Sequence, residues 1–161
     1  MCAIIHFGTD GWRARVDDDF TADNVARIAD AVGELWQKIN PGKTVYIGFD
    51  TRPQAREFAE LAAGVLAAHG LDAVLASRPV PTPALTWAAA YDGGACGALM
   101  VTGSHHPQGY LCLKLRMGDG STANQDVIEE LEETMAPEPM GIEESYRTAD
   151  IIPDYMQAVA S

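Results

Sequence analysis

Apolar positions along this chain follow two alternating rhythms. Val25, Ile28, Ala29, Val32, Leu35 and Ile39 recur at helical spacing behind Thr21, a residue suited to an N-cap, and Asn40-Pro41-Gly42 stops the run. Phe58, Leu61, Ala62, Val65 and Leu66 repeat the pattern between about Gln54 and His69, with Gly70 placed as the C-terminal cap. The Pro79–Pro83 turn opens a third helix through Tyr91, and Val127, Ile128 and Leu131 mark a fourth. Between these lie short apolar stretches of strand length: Thr44–Phe49, Ala73–Leu75, Ala95–Val101 and Tyr110–Met117. Ala3-Ile4-Ile5 reads as one more short strand, leading into the Gly8–Gly11 loop.

Strands alternating with helices over short connections predict an α/β fold, a three-layer α/β/α domain with a mixed, mostly parallel sheet. The connection from Val101 to Tyr110 is too short for a helical crossover, so the last strand should run antiparallel to its predecessor. In such sheets ligands sit at the carboxyl ends of strands, where Asp50 and Ser104 both fall. Residues 1–136 are expected to form this domain. Residues 137–161 read as a linker at Pro137-Glu138-Pro139 and the start of a truncated following domain, because the helix begun at Asp154–Val159 has no stop before Ser161. Arg147 is the only basic residue beyond Gln125. No internal repeat is visible.

At 161 residues, 47% of them hydrophobic, the chain can bury a core without metal or disulfide staples. A formal net charge of −12 argues against a nucleic-acid or anionic-membrane partner. Any phosphate site must therefore be a local concentration of cations, for which Arg13, Arg15, Lys114 and Arg116 are candidates. Cys2, Cys96 and Cys112 are odd in number and lack metal-ligand spacing, which fits thiols of a reducing compartment. With no charged-then-apolar leader and no apolar run of membrane-spanning length, the expectation is a soluble, cytoplasmic chain.

The chemistry concentrates in Val101-Thr102-Gly103-Ser104-His105-His106-Pro107. Here one hydroxyl nucleophile follows a predicted strand, with two imidazoles beside it; a serine held on rigid flanks can be aimed. Three further blocks precede it, Phe7-Gly8-Thr9-Asp10-Gly11-Trp12-Arg13, Gly48-Phe49-Asp50-Thr51-Arg52 and Pro81-Thr82-Pro83, and Tyr110-Leu111-Cys112-Leu113-Lys114 trails it. In order and spacing, from about Ile4 to the C-terminus, these blocks resemble the N-terminal domain (domain I) of the α-D-phosphohexomutases. That family comprises phosphoglucomutases, phosphomannomutases and phosphoglucosamine mutases.

The resemblance implies an isomerase, an intramolecular phosphotransferase that interconverts hexose 1-phosphate and hexose 6-phosphate. In it the serine matching Ser104 carries a phosphate and passes it to and from the sugar through a bisphosphorylated intermediate, a hexose 1,6-bisphosphate. His105 matches the family's histidine, and Lys114 matches the lysine that faces the reacting hydroxyls; both are implied as catalytic with Ser104. Arg13 matches the arginine closing the N-terminal motif and is implied to bind phosphate, which a guanidinium grips through two parallel hydrogen bonds. Gly8 and Gly11 would let the backbone approach closely. Asp50 and Arg52 are expected to buttress one another or the serine loop. Magnesium (Mg2+) is the implied counter-charge, reached by Ser104 through its phosphate oxygen, with the family's three metal-binding aspartates supplied from a loop this chain does not match.

Asp17-Asp18-Asp19 is the nearest acidic run, but it sits ahead of the first helix, where carboxylates favour the positive helix end and face solvent. The implied partners are a hexose phosphate and downstream domains of the same enzyme, and the isolated chain is expected to be inactive. His106 stands where the family usually has asparagine, and Leu111-Cys112 where it has Asn-Gly. These departures keep a second class open, a non-catalytic sugar-phosphate-binding or regulatory remnant. A serine hydrolase would need the second glycine of a G-x-S-x-G elbow, which Gly103-Ser104-His105-His106 lacks.

Overall fold

A computed structural model of the chain describes residues 5–8, 11–39, 41, 43–92, 95–103, 107–138 and 145–160. Six strands and five helices follow one another as β1 (Trp12–Arg15), α1 (Ala22–Ile39), β2 (Thr44–Phe49), α2 (Ala55–Ala68), β3 (Asp72–Ala76), α3 (Thr82–Asp92), β4 (Gly97–Thr102), β5 (Tyr110–Met117), α4 (Gln125–Thr134), β6 (Arg147–Ala149) and α5 (Ile152–Ala160). They form a single mixed sheet in the order β1-β5-β4-β2-β3-β6.

The α/β expectation holds. β2 pairs in parallel with both β3 and β4, and β3 in parallel with β6. β5 runs antiparallel to β4, as the short connection requires. It is not the last strand, however, because β6 follows it. β1 was also unforeseen; it pairs antiparallel with β5 and so shares the direction of the parallel set. Of the strand expected at Ala3-Ile4-Ile5, Ala3 and Ile4 lie outside the described residues, and Ile5 is not in a strand.

Local signals account for the boundaries. The Thr21 hydroxyl accepts from the Asn24 amide at the start of α1. The Gly70 N–H donates to the Ala67 carbonyl and closes α2, and the Asn124 side chain accepts from the Val127 amide to cap α4.

Two apolar cores lie on opposite faces of the sheet, giving three layers. On one face Val25, Ile28, Val32 and Trp36 of α1 and Ala59, Ala62 and Leu66 of α2 pack on Val45, Ile47, Leu99, Val101, Leu111 and Leu113. On the other, Ala84, Leu85 and Ala88 of α3 and Ile151 cover Ala98 and Met100. Alternation along β4 sends Leu99 and Val101 to the first core and Ala98 and Met100 to the second.

The β2–β4 seam is where the chain reverses its path across the sheet. From β2 it passes through α2 to β3 on one side; from β3 it returns through α3 to β4 on the other. A crevice opens beyond the carboxyl ends of strands at such a point. Asp50 follows β2 and Gly103 follows β4, with Phe49 and Val101 paired across the seam.

Candidate active site

Ser104, His105 and His106 lie outside the described residues; Gly103 and Pro107, which flank them, are described. Both flanks are tied to the residues just after β2. One Asp50 carboxylate oxygen, Oδ2, accepts from the Thr102 hydroxyl at 2.6 Å and from the Gly103 N–H at 2.8 Å. The other, Oδ1, accepts from the Arg52 N–H at 2.9 Å. Hydrogen bonds to an ionised acceptor are among the stronger ones a loop can make. The Arg52 guanidinium then reaches across to the Pro107 carbonyl, donating from Nη1 at 3.1 Å. Arg52 also packs against Gly103, where a Cβ would overlap its Nε and Cζ. A larger residue there would have to displace the Arg52 side chain.

The expected buttress of Asp50 and Arg52 is therefore present. Thr102 is a partner that the motif did not single out. No local signal marked it: Asp50 follows β2 and Thr102 ends β4, strands that only the topology makes neighbours.

Arg13 and Lys114 project from one face of the sheet. Arg13 pairs with Cys112, and Cys112 pairs in turn with Thr102, so the three form one row across β1, β5 and β4. Two strand spacings separate Arg13 from Thr102, roughly 10 Å. Lys114 lies two residues along β5 from Cys112, diagonal to Arg13, a relation that puts side chains about 7–8 Å apart. Lys114 is half-buried on an internal strand between β1 and β4, so it is not a solubilising charge on a sheet edge.

Arg15 and Arg116 share this face by the same alternation. All four cations proposed from the sequence thus emerge from β1 and β5 on one side of the sheet. The opposite side of these strands is apolar, with Trp12, Ala14, Leu111, Leu113 and Leu115 in the core beneath α1 and α2. The Arg13 guanidinium lies over the Tyr110 ring at 5.9 Å.

Gly11 fixes how closely β1 can lie on β5. Its φ is +128°, and a Cβ would stand 2.5 Å from the Leu113 carbonyl oxygen and 3.1 Å from the Lys114 Cα. The Gly8 N–H donates to the Gly11 carbonyl, turning the chain into β1. The close approach expected of these glycines is made by Gly11 to β5 itself.

Asp17, Asp18 and Asp19 are exposed. Among the described residues no group of three His, Cys, Asp or Glu side chains could hold a metal ion. Asp50, the carboxylate bonded to Gly103, already has both oxygens engaged by protein donors. The described residues do not fit a magnesium site by themselves. No described helix is long and apolar enough to cross a membrane.

Comparison with known proteins adds independent findings. Residues 5–140 match the family model described as phosphoglucomutase/phosphomannomutase, alpha/beta/alpha domain I. A phosphoglucosamine mutase of Polaromonas naphthalenivorans is 31% identical over 136 residues, which cover 84% of this chain and 30% of that protein. One from Cupriavidus metallidurans is 38% identical over 141 residues, covering 84% of this chain and 31% of that protein. A crystal structure from Thermus thermophilus, described as that of a candidate phosphomannomutase, superimposes with a TM-score of 0.93 at 36% identity. It is matched by 99% of this chain, which covers 36% of it. The chain thus spans about a third of the length of the relatives it matches.

Proposed function

We propose, from the premise that this chain belongs to the phosphoglucomutase/phosphomannomutase family as its alpha/beta/alpha domain I, that it is the phosphoserine-bearing part of a phosphohexomutase. Such an enzyme interconverts hexose 1-phosphate and hexose 6-phosphate through a bisphosphorylated sugar. The observation that carries this reading is the placement of Arg13 and Lys114 on one sheet face, in and beside the cross-strand row that ends at Thr102.

In the forward step the bond between phosphorus and Ser104 Oγ breaks and a bond from phosphorus to a sugar hydroxyl oxygen forms. The sugar hydroxyl proton leaves, and the serine oxygen regains a proton when it departs. The reverse step, from the other position of the bisphosphate, restores the phosphoserine. Positioning and electrostatics supply most of the catalysis of such transfers. Arg13 would grip the phosphoryl oxygens with its planar fork, Lys114 would place a point charge against them, and His105 would exchange the proton near neutral pH. A phosphoserine adds close to two negative charges to a chain already at −12, so a cationic face is what the step demands.

A divalent ion such as magnesium would have to draw its carboxylate ligands from beyond this chain. The curated relatives are phosphoglucosamine mutases, so glucosamine phosphates are the first sugars to assay. Recognition of the sugar ring and completion of the cleft would fall to segments these longer relatives possess.

Intact-mass analysis tests the reading. The chain incubated with glucosamine 1,6-bisphosphate should gain one phosphate, and the Ser104→Ala variant should gain none. A chain that stays unlabelled, beside a complete relative labelled under the same conditions, would instead favour a non-catalytic sugar-phosphate binder. Cys112 is the residue that keeps that alternative in view: it is a buried thiol between Arg13 and Thr102, at the position where the resemblance implies glycine.

A further inference from the structure

Strand pairing holds β4 in the sheet only as far as Thr102, which pairs with Cys112. Beyond that residue Gly103 and Pro107 are bonded by side chains from the neighbouring strand end, and the Pro107 carbonyl also accepts from the Tyr110 N–H. Asp50 takes up the near side, through Thr102 Oγ1 and the Gly103 N–H. Arg52 takes up both sides, lying on Gly103 and donating to the Pro107 carbonyl. The two braces are joined, because the Arg52 N–H donates to Asp50 Oδ1.

We infer that Asp50, Arg52 and Thr102 are positioning residues for phosphoryl transfer at Ser104, clamping Gly103 and Pro107 on either side of it. The inference rests on the phosphoserine reading above and adds to it a set of residues outside the reacting groups. Asp50 is no general base in this arrangement: both of its oxygens accept from protein donors. Arg52 donates to a backbone carbonyl on the loop's far flank.

The chemical reason for such a clamp is aim. In the labelling reaction the P–O ester bond of the bisphosphate breaks, the Oγ–P bond forms, and the serine proton passes to the departing sugar oxygen. An in-line transfer loses about a hundredfold in rate for a displacement on the order of 1 Å. A carboxylate and a guanidinium bonded to Gly103 and Pro107 fix the two points between which the reacting residue is carried.

The test uses the full chain and glucosamine 1,6-bisphosphate, following single-turnover phosphate uptake at Ser104 by intact mass. Arg52→Ala should lower the rate constant about tenfold or more while the half-saturating donor concentration stays within about twofold. Thr102→Val, nearly isosteric, should slow uptake, and Thr102→Ser, which keeps the hydroxyl, should restore it. Uptake at the wild-type rate in both Arg52→Ala and Thr102→Val would overturn the inference. So would a loss confined to donor affinity, which would make Arg52 a binding residue.

If the wild-type chain takes no phosphate, the phosphoserine reading fails, and the clamp is then judged by amide hydrogen exchange at Gly103. Asp50→Ala removes the oxygen that accepts from the Gly103 N–H, so that amide should exchange about tenfold faster or more. Unchanged exchange there would overturn the clamp as well.

Discussion

Gly11 carries a strict geometric demand beside the cationic face. Its φ of +128° lies outside the range of L side chains, and the Leu113 carbonyl occupies the space a Cβ would need. Gly11→Ala should therefore cost about 2–3 kcal/mol, combining backbone strain with overpacking. The midpoint of urea denaturation should fall with an unchanged slope. The same substitution would push β1 off β5 and carry Arg13 with it, since Arg13 is two residues on. Arg13 itself can be tested separately: Arg13→Gln keeps hydrogen-bonding capacity but loses the charged fork. It should weaken binding of glucosamine 1,6-bisphosphate about tenfold by calorimetry, with little change in stability because Arg13 is exposed.

At the scale of elements, the far edge of the sheet is tied by ion pairs at both ends, Arg147 with Asp72 and, just past β6, Arg78 with Asp150. β6 is a strand of Arg147, Thr148 and Ala149, with no apolar run to hold it. Arg147 anchors it by a two-bond contact with Asp72 at the start of β3, Nε to Oδ1 at 2.8 Å and Nη2 to Oδ2 at 2.6 Å. The bonded Arg147 guanidinium holds the Asp72 carboxyl below its ordinary value of 3.8, against the opposing effect of burial. A carboxyl whose pKa is lower in the folded state stabilises the fold above its unfolded pKa. That contribution is lost as pH falls through the folded value. Asp72→Asn should accordingly be less stable than the wild type at neutral pH, and the gap between their denaturation midpoints should close below about pH 4. The pair is partly exposed, so the effect should also shrink at high salt.

The elements most legible beforehand were those with long apolar repeats. α1 begins behind Thr21 as its spacing predicts, and β2 and β5 have the expected bounds. β6 was hidden because it is short and polar and owes its place to Asp72, far away in sequence. β1 was hidden for another reason. Trp12 and Ala14 point inward while Arg13 and Arg15 point outward, a proper alternation, but it covers only four residues behind a glycine loop.

At the scale of the whole molecule, an acidic chain concentrates cations on one side of one end of its sheet. β1 and β5 bury their apolar side chains beneath α1 and α2 and direct Arg13, Arg15, Lys114 and Arg116 to the opposite face. α3 packs mainly on β2, β4 and α5, so the main helical cover of that face is centred away from β1. We expect the 161-residue chain by itself to show no steady interconversion of glucosamine 1-phosphate and 6-phosphate, even where it accepts one phosphate from the bisphosphate. Phosphorus NMR of each sugar phosphate incubated with stoichiometric chain would check this, and appearance of the other isomer over many turnovers would refute it. The chain matches about a third of its relatives' length, and no metal-holding cluster stands among its described residues.

The amino-acid sequence alone determined the alternation of strands and helices, the antiparallel turn into β5, and the identity of the candidate groups, because periodicity and connection length are local properties of a chain. It also suggested Asp50 and Arg52 as a buttress from their place after a strand. Only the tertiary structure decided that β4 lies beside β2, that Thr102 therefore reaches Asp50, and that Arg13 and Lys114 share a face with Thr102. Those relations depend on strand order and register between segments remote along the chain. Burial of the apolar faces against α1, α2 and α3 selects them, and no local pattern encodes that choice.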